Sequence, residues 1–336
     1  MKYLIKLLIP IAVITLLLSC KNNRLEADIS GIEIAPVKFE RLDRDLFSIT
    51  PQNHLTKEQE LIKKYGTFYR QFVYTIINAN KADTNYLLHF VTDKDMRGSY
   101  EEVQKTIKDE DINKLAEELT LCEKRFKYFF PKRKLPLKHV AYFSGYNYNI
   151  VYPDSTLGIS LEMYLGNNNK YYKMLQWPQY QVRSMTKENM LPNLVRGWLI
   201  TEFDNSEPTN TLLHHMIFYG KLFYTMDALL PDMHDSLKVN YSTAQMNYCE
   251  KYEKNVWGFL AQENRLYENN LKTITEFTSD GPFTGAISKD CPPRVAMWIG
   301  WQIVRSYMDN NEAVSLEDLL NEKDAQKILN KSKYRP

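Results

Sequence analysis

The sequence predicts an α+β fold, predominantly helical, with a small antiparallel β-sheet in the middle. Apolar residues recur at the 3.6-residue period over several long stretches, as they do on amphipathic helices. The region from Val140 to Leu165 instead alternates with period two, and Pro153-Asp154-Ser155 supplies a turn inside it. No internal repeat, low-complexity tract or strong linker divides the chain, so residues 31–336 read as a single domain. A hydrophobic content of 44%, with 13% aromatics, is ample for a packed core and unlike a disordered chain.

An export signal precedes that domain. Lys2 and Lys6 precede an apolar run from Leu7 to Leu18, and Leu17-Leu18-Ser19-Cys20 has the form of a lipoprotein cleavage site. The run is 12 residues long and interrupted by Pro10. A bilayer span needs roughly 20 residues, so an uncleaved anchor helix is the weaker reading. Residues 1–19 are then signal, and residues 20–30 are the lipidated Cys20 with a polar tether that includes Lys21 to Ala27. Each buried CH₂ of an acyl chain contributes about 0.8 kcal/mol, so several chains hold a protein at a membrane without a spanning helix.

Ile32-Glu33-Ile34 and Val37-Lys38-Phe39 alternate as a strand, and Pro36 confines it to an edge or a break in pairing. Asp43 to Phe47 begins a turn or short helix. From Lys57 to Asn78, Leu61, Ile62, Tyr65, Phe68, Tyr69, Phe72, Val73 and Ile76 form one helical stripe. Gly66 interrupts it at a cost of about 1 kcal/mol relative to alanine. A second helix runs from Asp111 toward Phe129, with Ile112, Leu115, Leu119, Cys122 and Phe126 inward and Pro131 as its stop.

Val140 to Phe143 and Tyr146 to Tyr152 read as strands, and Leu157 to Leu165 as the returning one. From Trp177 onward the chain is mostly helical, over Lys187 to Phe203 and over Thr211 to Leu230. Ser242-Thr243-Ala244-Gln245 is a capping box opening a helix through Cys249 and Leu260. Pro292-Pro293-Arg294 starts a helix reaching Met308, and Ser315 caps a last short pair.

Cleavage removes Lys2 and Lys6 and leaves 41 basic residues against 41 acidic ones. A neutral chain is a poor nucleic-acid binder, which needs clustered basic charge to displace counterions. With Cys20 lipidated, Cys122, Cys249 and Cys291 remain, too few for a disulfide framework. Cys122 and Cys249 lie in apolar helical patterns and read as buried small hydrophobes.

Nucleophile elbow, phosphate loop, dinucleotide-binding glycines, EF-hand and H-E-x-x-H are all absent from the sequence. His54, His89, His139, His214, His215 and His234 read as ordinary surface or capping histidines. Adjacent His214 and His215 diverge by about 100° on a helix and cannot share one ion. No catalytic residue, metal ligand or cofactor is therefore assigned.

Two constellations remain. Tyr142, Tyr146, Tyr148 and Tyr152 share parity, and an unbroken strand would line them on one face, for glycan or peptide capture or as a layer between sheet and helices. The layer is the better reading, and Ser144-Gly145 threatens the alignment. Arg183, Arg196, Glu202, Lys221, Asp227, Arg294 and Arg305 lie on helices or their approaches. Buried, they would pair across the core or line a pocket, but the favoured reading is solvated faces, since charged side chains on helices ordinarily reach water.

Several segments in order resemble the gliding-motility lipoprotein GldB family. They are Val37-Lys38-Phe39-Glu40-Arg41-Leu42-Asp43-Arg44-Asp45-Leu46-Phe47, the stretch from Tyr152 to Gly166, Met216 to Tyr224, Pro293 to Tyr307 and Asp324 to Pro336. The resemblance implies a lipid-anchored envelope component needed for gliding over surfaces, beside other gliding or adhesin-secretion machinery. It carries no catalytic residue. A more distant likeness joins the helix pair near Leu194 to Phe203 and Thr211 to Leu230 to a zinc-peptidase (gluzincin-like) scaffold. Val195 to Glu202 lacks histidine, and Tyr219 stands where an acidic ligand is expected, so that likeness implies a degenerate scaffold without the metal.

The sequence thus favours a non-enzymatic envelope lipoprotein acting through protein contacts. The alternatives are an envelope hydrolase of zinc-peptidase-like ancestry and a glycan- or peptide-binding lipoprotein. Lys21 and Asn22, with no aspartate after Cys20, favour the periplasmic side of the outer membrane.

Overall fold

The computed structural model describes residues 24–80, 83, 85–203, 210–262 and 264–336; Cys20 and the signal lie outside them. The fold class is as expected, a helix-rich α+β body around a four-stranded sheet. Strand β1 (Phe39–Arg41) passes directly into helix α1 (Leu42–Phe47). Where one long helix was expected there are three pieces: α2 (His54–Tyr65), α3 (Thr67–Gln71) and a π-helical turn Phe72–Ile76. Gly66 makes the break, because its φ of +57° and ψ of −123° lie outside the helical region and suit a residue without Cβ. The apolar stripe largely survives the break: Leu61, Tyr65, Phe68, Tyr69, Phe72, Val73 and Ile76 are buried, while Ile62 of the expected set is exposed.

Helices α4 (Tyr86–Thr92) and α5 (Lys94–Thr106) follow, the second N-capped by the Asp93 carboxylate. Helix α6 (Asp109–Phe129) opens on three acidic residues, which favour the positive end of its dipole, and buries the predicted stripe. Then come β2 (Lys138–Tyr142), β3 (Ile150–Val151) and β4 (Thr156–Ser160), in sheet order β1-β2-β4-β3.

The antiparallel expectation needs correcting for most of this sheet. β1 pairs parallel with β2 (Glu40 beside Val140), and β2 pairs parallel with β4 (Val140 beside Gly158). Only β3 and β4 run antiparallel, Ile150 facing Ile159. Side-chain alternation is the same in both pairing modes, so period two never distinguished them. All five residues of β4 are buried, as suits a strand covered on both faces.

The expected strand Tyr146 to Tyr152 is mostly a turn, because Gly145 and Tyr146 both take φ of +68°. The four tyrosines therefore do not share a face. Tyr142 is buried, Tyr146 and Tyr152 are half-buried, and Tyr148 is exposed. The expected strand Leu157 to Leu165 stops at Ser160 and tightens into a 3₁₀ turn, Leu161–Tyr164.

The remainder is helical: α7 (Lys170–Met174), α8 (Gln179–Val182), α9 (Met190–Glu202), α10 (Leu212–Leu229), α11 (Asp235–Val239) and α12 (Thr243–Ala261). After these come α13 (Leu271–Thr278), α14 (Val295–Asn310), α15 (Leu316–Asn321) and α16 (Ala325–Ser332). Ser242 and Ser315 form the capping boxes of α12 and α15. α10 and α14 cross with their backbones touching. A Cβ at Gly220 would strike the Gly300 carbonyl, and one at Gly300 would strike the Met216 carbonyl.

The first described residues are seated on this body. The Arg24 guanidinium donates to the carbonyls of Met308 (2.6 Å), Asn311 (3.4 Å) and Val314, at the C-terminal end of α14. Leu25 packs against the core. The stretch read as tether is therefore fixed to the fold from Arg24 onward.

Candidate functional site

Pro36 breaks the N-terminal extended stretch, and what remains of it as β1 is the outer strand of the sheet. An outer strand turns one row of backbone N–H and C=O groups away from its neighbour. Beside it lies a recess of about 470 Å³, between the start of β1 and α6. Val37, Ile112 and Ala116 form its apolar floor, while Lys38, Asn113 and Glu117 stand exposed at its rim.

Both ends of this recess are held rigidly. At one end the Val37 amide donates to Thr120 Oγ1 at 3.0 Å, and that hydroxyl donates to the Ala116 carbonyl. At the other, Arg41 donates to both oxygens of Asp43 at 2.8 Å and to Asp109 at 2.9 Å. Burial alone would lower the Arg41 pKa, but Asp43 and Asp109 outweigh it and raise it. Asp109 is lowered in turn by hydrogen bonds from Arg44 and Arg41. The recess thus offers an apolar floor, strand backbone and fixed charge, the components that receive an extended chain by strand addition.

The charged residues expected on solvated helix faces are all drawn inward, which corrects that reading. Asp227 is 7% exposed. It accepts from Lys238 Nζ at 2.8 Å, Arg305 Nε and Nη2 at 2.9 Å, and Trp301 Nε1 at 3.0 Å. Asp235 closes the network, 2.7 Å from Arg305 and 3.3 Å from Lys238. Burial raises the Asp227 pKa against the pull of both cations, whereas in Asp235 the cations prevail and lower it. Lys221 donates to the Glu322 carbonyl, and Glu202 pairs with Arg133 at 3.3 Å. Arg183, Arg196 and Arg294 converge on backbone carbonyls of residues 238–240.

Two of the six histidines also depart from the surface-or-cap reading. His139 is buried on β2, with Nε2 2.7 Å from Glu123 on α6. His214 is buried on α10, its ring edge-on to that of His215. His234 does cap α11. Cys122, Cys249 and Cys291 are buried free thiols, as anticipated for the first two. Their pKa values are raised by burial, Cys122 and Cys291 to about 12.

Glu162 escaped the sequence reading. It is fully buried, and its Oε1 accepts from the Ser144 amide (2.7 Å), the Ser144 hydroxyl (2.6 Å) and the Tyr146 amide (3.1 Å). Its Oε2 accepts from the Ser160 hydroxyl at 2.6 Å. Burial raises its pKa and these donors oppose the rise. The available signal was an acid inside the apolar run Leu161-Glu162-Met163, next to a tight turn. Arg24 and the Arg41–Asp43 pair were likewise missed as fixed groups, since nothing local announces a partner elsewhere in the fold.

Among the described residues, no group of three or more His, Cys, Asp or Glu side chains is gathered as a metal ion would require. Nor is any helix among them long and apolar enough to cross a membrane. A family model described as gliding motility protein GldB matches residues 22–336. Comparisons with curated proteins and with solved structures returned no match.

Proposed function

Because this chain belongs to the gliding-motility GldB family, we propose that it works as a lipid-anchored scaffold, serving gliding through protein contacts rather than catalysis. The family match over residues 22–336 is the observation that carries this reading, since it spans the folded body. The anchor is Cys20, with the body on the periplasmic side of the outer membrane, as Lys21 and Asn22 suggest. The contact surface is the recess beside β1, and its occupant is an extended segment of another gliding or adhesin-secretion protein lying along the strand.

Two substitutions test the two halves of this reading. Cys20→Ala should move the protein from the membrane to the soluble fraction and abolish gliding. Continued membrane association with normal gliding would defeat the anchor. Ala116→Arg, which fills the floor of the recess, should leave the protein folded and membrane-bound while stopping gliding. Normal gliding in that strain would remove the recess from the mechanism.

A further inference from the structure

Three arginines from distant parts of the chain meet in the helical half with little to balance them. Arg183 follows α8, Arg196 lies in the middle of α9, and Arg294 precedes α14 with a φ of +58°. Arg183 Nη2 and Arg294 Nη2 both donate to the Asn240 carbonyl at 3.3 Å, so two guanidinium groups meet over one oxygen. Arg196 donates to the Lys238 carbonyl at 3.1 Å and to Asn193 Oδ1 at 2.6 Å. Every one of these acceptors is neutral.

Among the described residues, the carboxylate that pairs with the three is Asp280, half exposed and 3.5 Å from Arg294 Nε. That Nε is buried and lacks a hydrogen-bond partner. Elsewhere the fold treats such groups differently. Arg305 has Asp227 and Asp235, Arg41 has Asp43 and Asp109, and Arg133 has Glu202. Crowding is felt by the cluster itself. The pKa of Arg196 is pulled down to about 10 and that of Arg183 is also lowered, by burial first and by the Arg294 charge second. Tyr164, Tyr219 and Tyr241 are the other titratable groups facing it, all with pKa values raised by burial. The start of α14, where no side chain caps the first amides, adds partial charge of the same sign.

We propose that Arg183, Arg196 and Arg294 form a binding site for a phosphate group. Three guanidinium charges against one carboxylate leave an excess of two, which a phosphate dianion neutralises and a single carboxylate does not. Planar guanidinium forks match phosphate oxygens in pairs, and half-buried surroundings strengthen each charge-assisted bond. Arg183 and Arg196 are partly buried and Asp280 is exposed, so the cluster lies within reach of solvent. Free phosphate or the phosphomonoester headgroup of phosphatidic acid would satisfy the same chemistry, since each carries up to two negative charges.

The test is thermal unfolding of the detergent-solubilised full-length lipoprotein, titrated with inorganic phosphate or with short-chain phosphatidic acid, against chloride at equal ionic strength. At least one phosphate compound should raise the melting temperature in a saturable manner, and which one does so identifies the source. Arg183→Gln should weaken that binding by about tenfold, the loss of one charge-assisted hydrogen bond. Asp280→Asn, which removes the competing carboxylate from an exposed loop without disturbing the core, should tighten it. The proposal falls if neither compound exceeds chloride. It falls equally if Arg183→Gln and Asp280→Asn both bind as the parent does.

Discussion

Glu162 and Asp227 are both buried carboxylates, yet the two regions that hold them solve the problem by opposite means. Around the sheet, Glu162 is satisfied by two amides and two hydroxyls, with no cation in contact. In the helical half, Asp227 is held by Lys238, Arg305 and the Trp301 indole. The sheet region arrives at its solution locally, since Ser144, Tyr146 and Ser160 all lie within 18 residues of Glu162. The helical region adds long-range partners to a local one, since Lys238 lies 11 residues from Asp227 but Trp301 and Arg305 stand 74 and 78 away. Neutral hydroxyl donors can rotate or accept a substitute; a buried guanidinium cannot discard its charge.

That difference has measurable consequences. Asp227→Asn keeps the shape but leaves Lys238 and Arg305 with only Asp235, and should cost about 3–5 kcal/mol in urea unfolding. A loss below 1 kcal/mol would erase the contrast. Glu162→Gln should cost only about 1 kcal/mol, because the amide oxygen can take over the Ser144 and Tyr146 donors and the Ser160 hydroxyl can turn to accept. A penalty matching that of Asp227→Asn would show that the two regions are not different in kind.

The smallest effect concerns acid. Asp235 is held below its ordinary value because Arg305 and Lys238 outweigh its burial. Its contribution is complete above the ordinary Asp value of about 4 and disappears as pH falls through the lower folded value. Urea midpoints at pH 5 and pH 3 should therefore converge slightly in Asp235→Asn relative to the parent. An unchanged difference would mean that the ion pair adds nothing to acid sensitivity.

The same contrast separates what could be read in the sequence from what could not. Local chemistry was legible: Ser242 with Gln245, Ser315 with Asp318, Thr211 before α10, and the stripe that Gly66 cuts without dispersing. Long-range pairing was not. Period two in Val140 to Tyr142 and Leu157 to Ile159 placed the strands but could not say that they run parallel. Asp227, Arg294 and Arg305 stood out among apolar neighbours, but the default for helix charges is solvent, and their partners come from other helices. The recess beside β1 depends on where α6 comes to rest against the strand, which Pro36 alone does not encode.

Arg24 gives the anchor a mechanical meaning. Three residues separate it from Cys20, and an extended chain reaches at most ~3.6 Å per residue, so the lipid proposed at Cys20 would hold the Arg24 backbone within ~14 Å of its point of attachment, with the guanidinium reaching on to the tail of α14. Drag on the moving cell would then enter the globule through one guanidinium gripping three carbonyls. From there it would pass along α14, whose Gly300 lies directly against the α10 backbone.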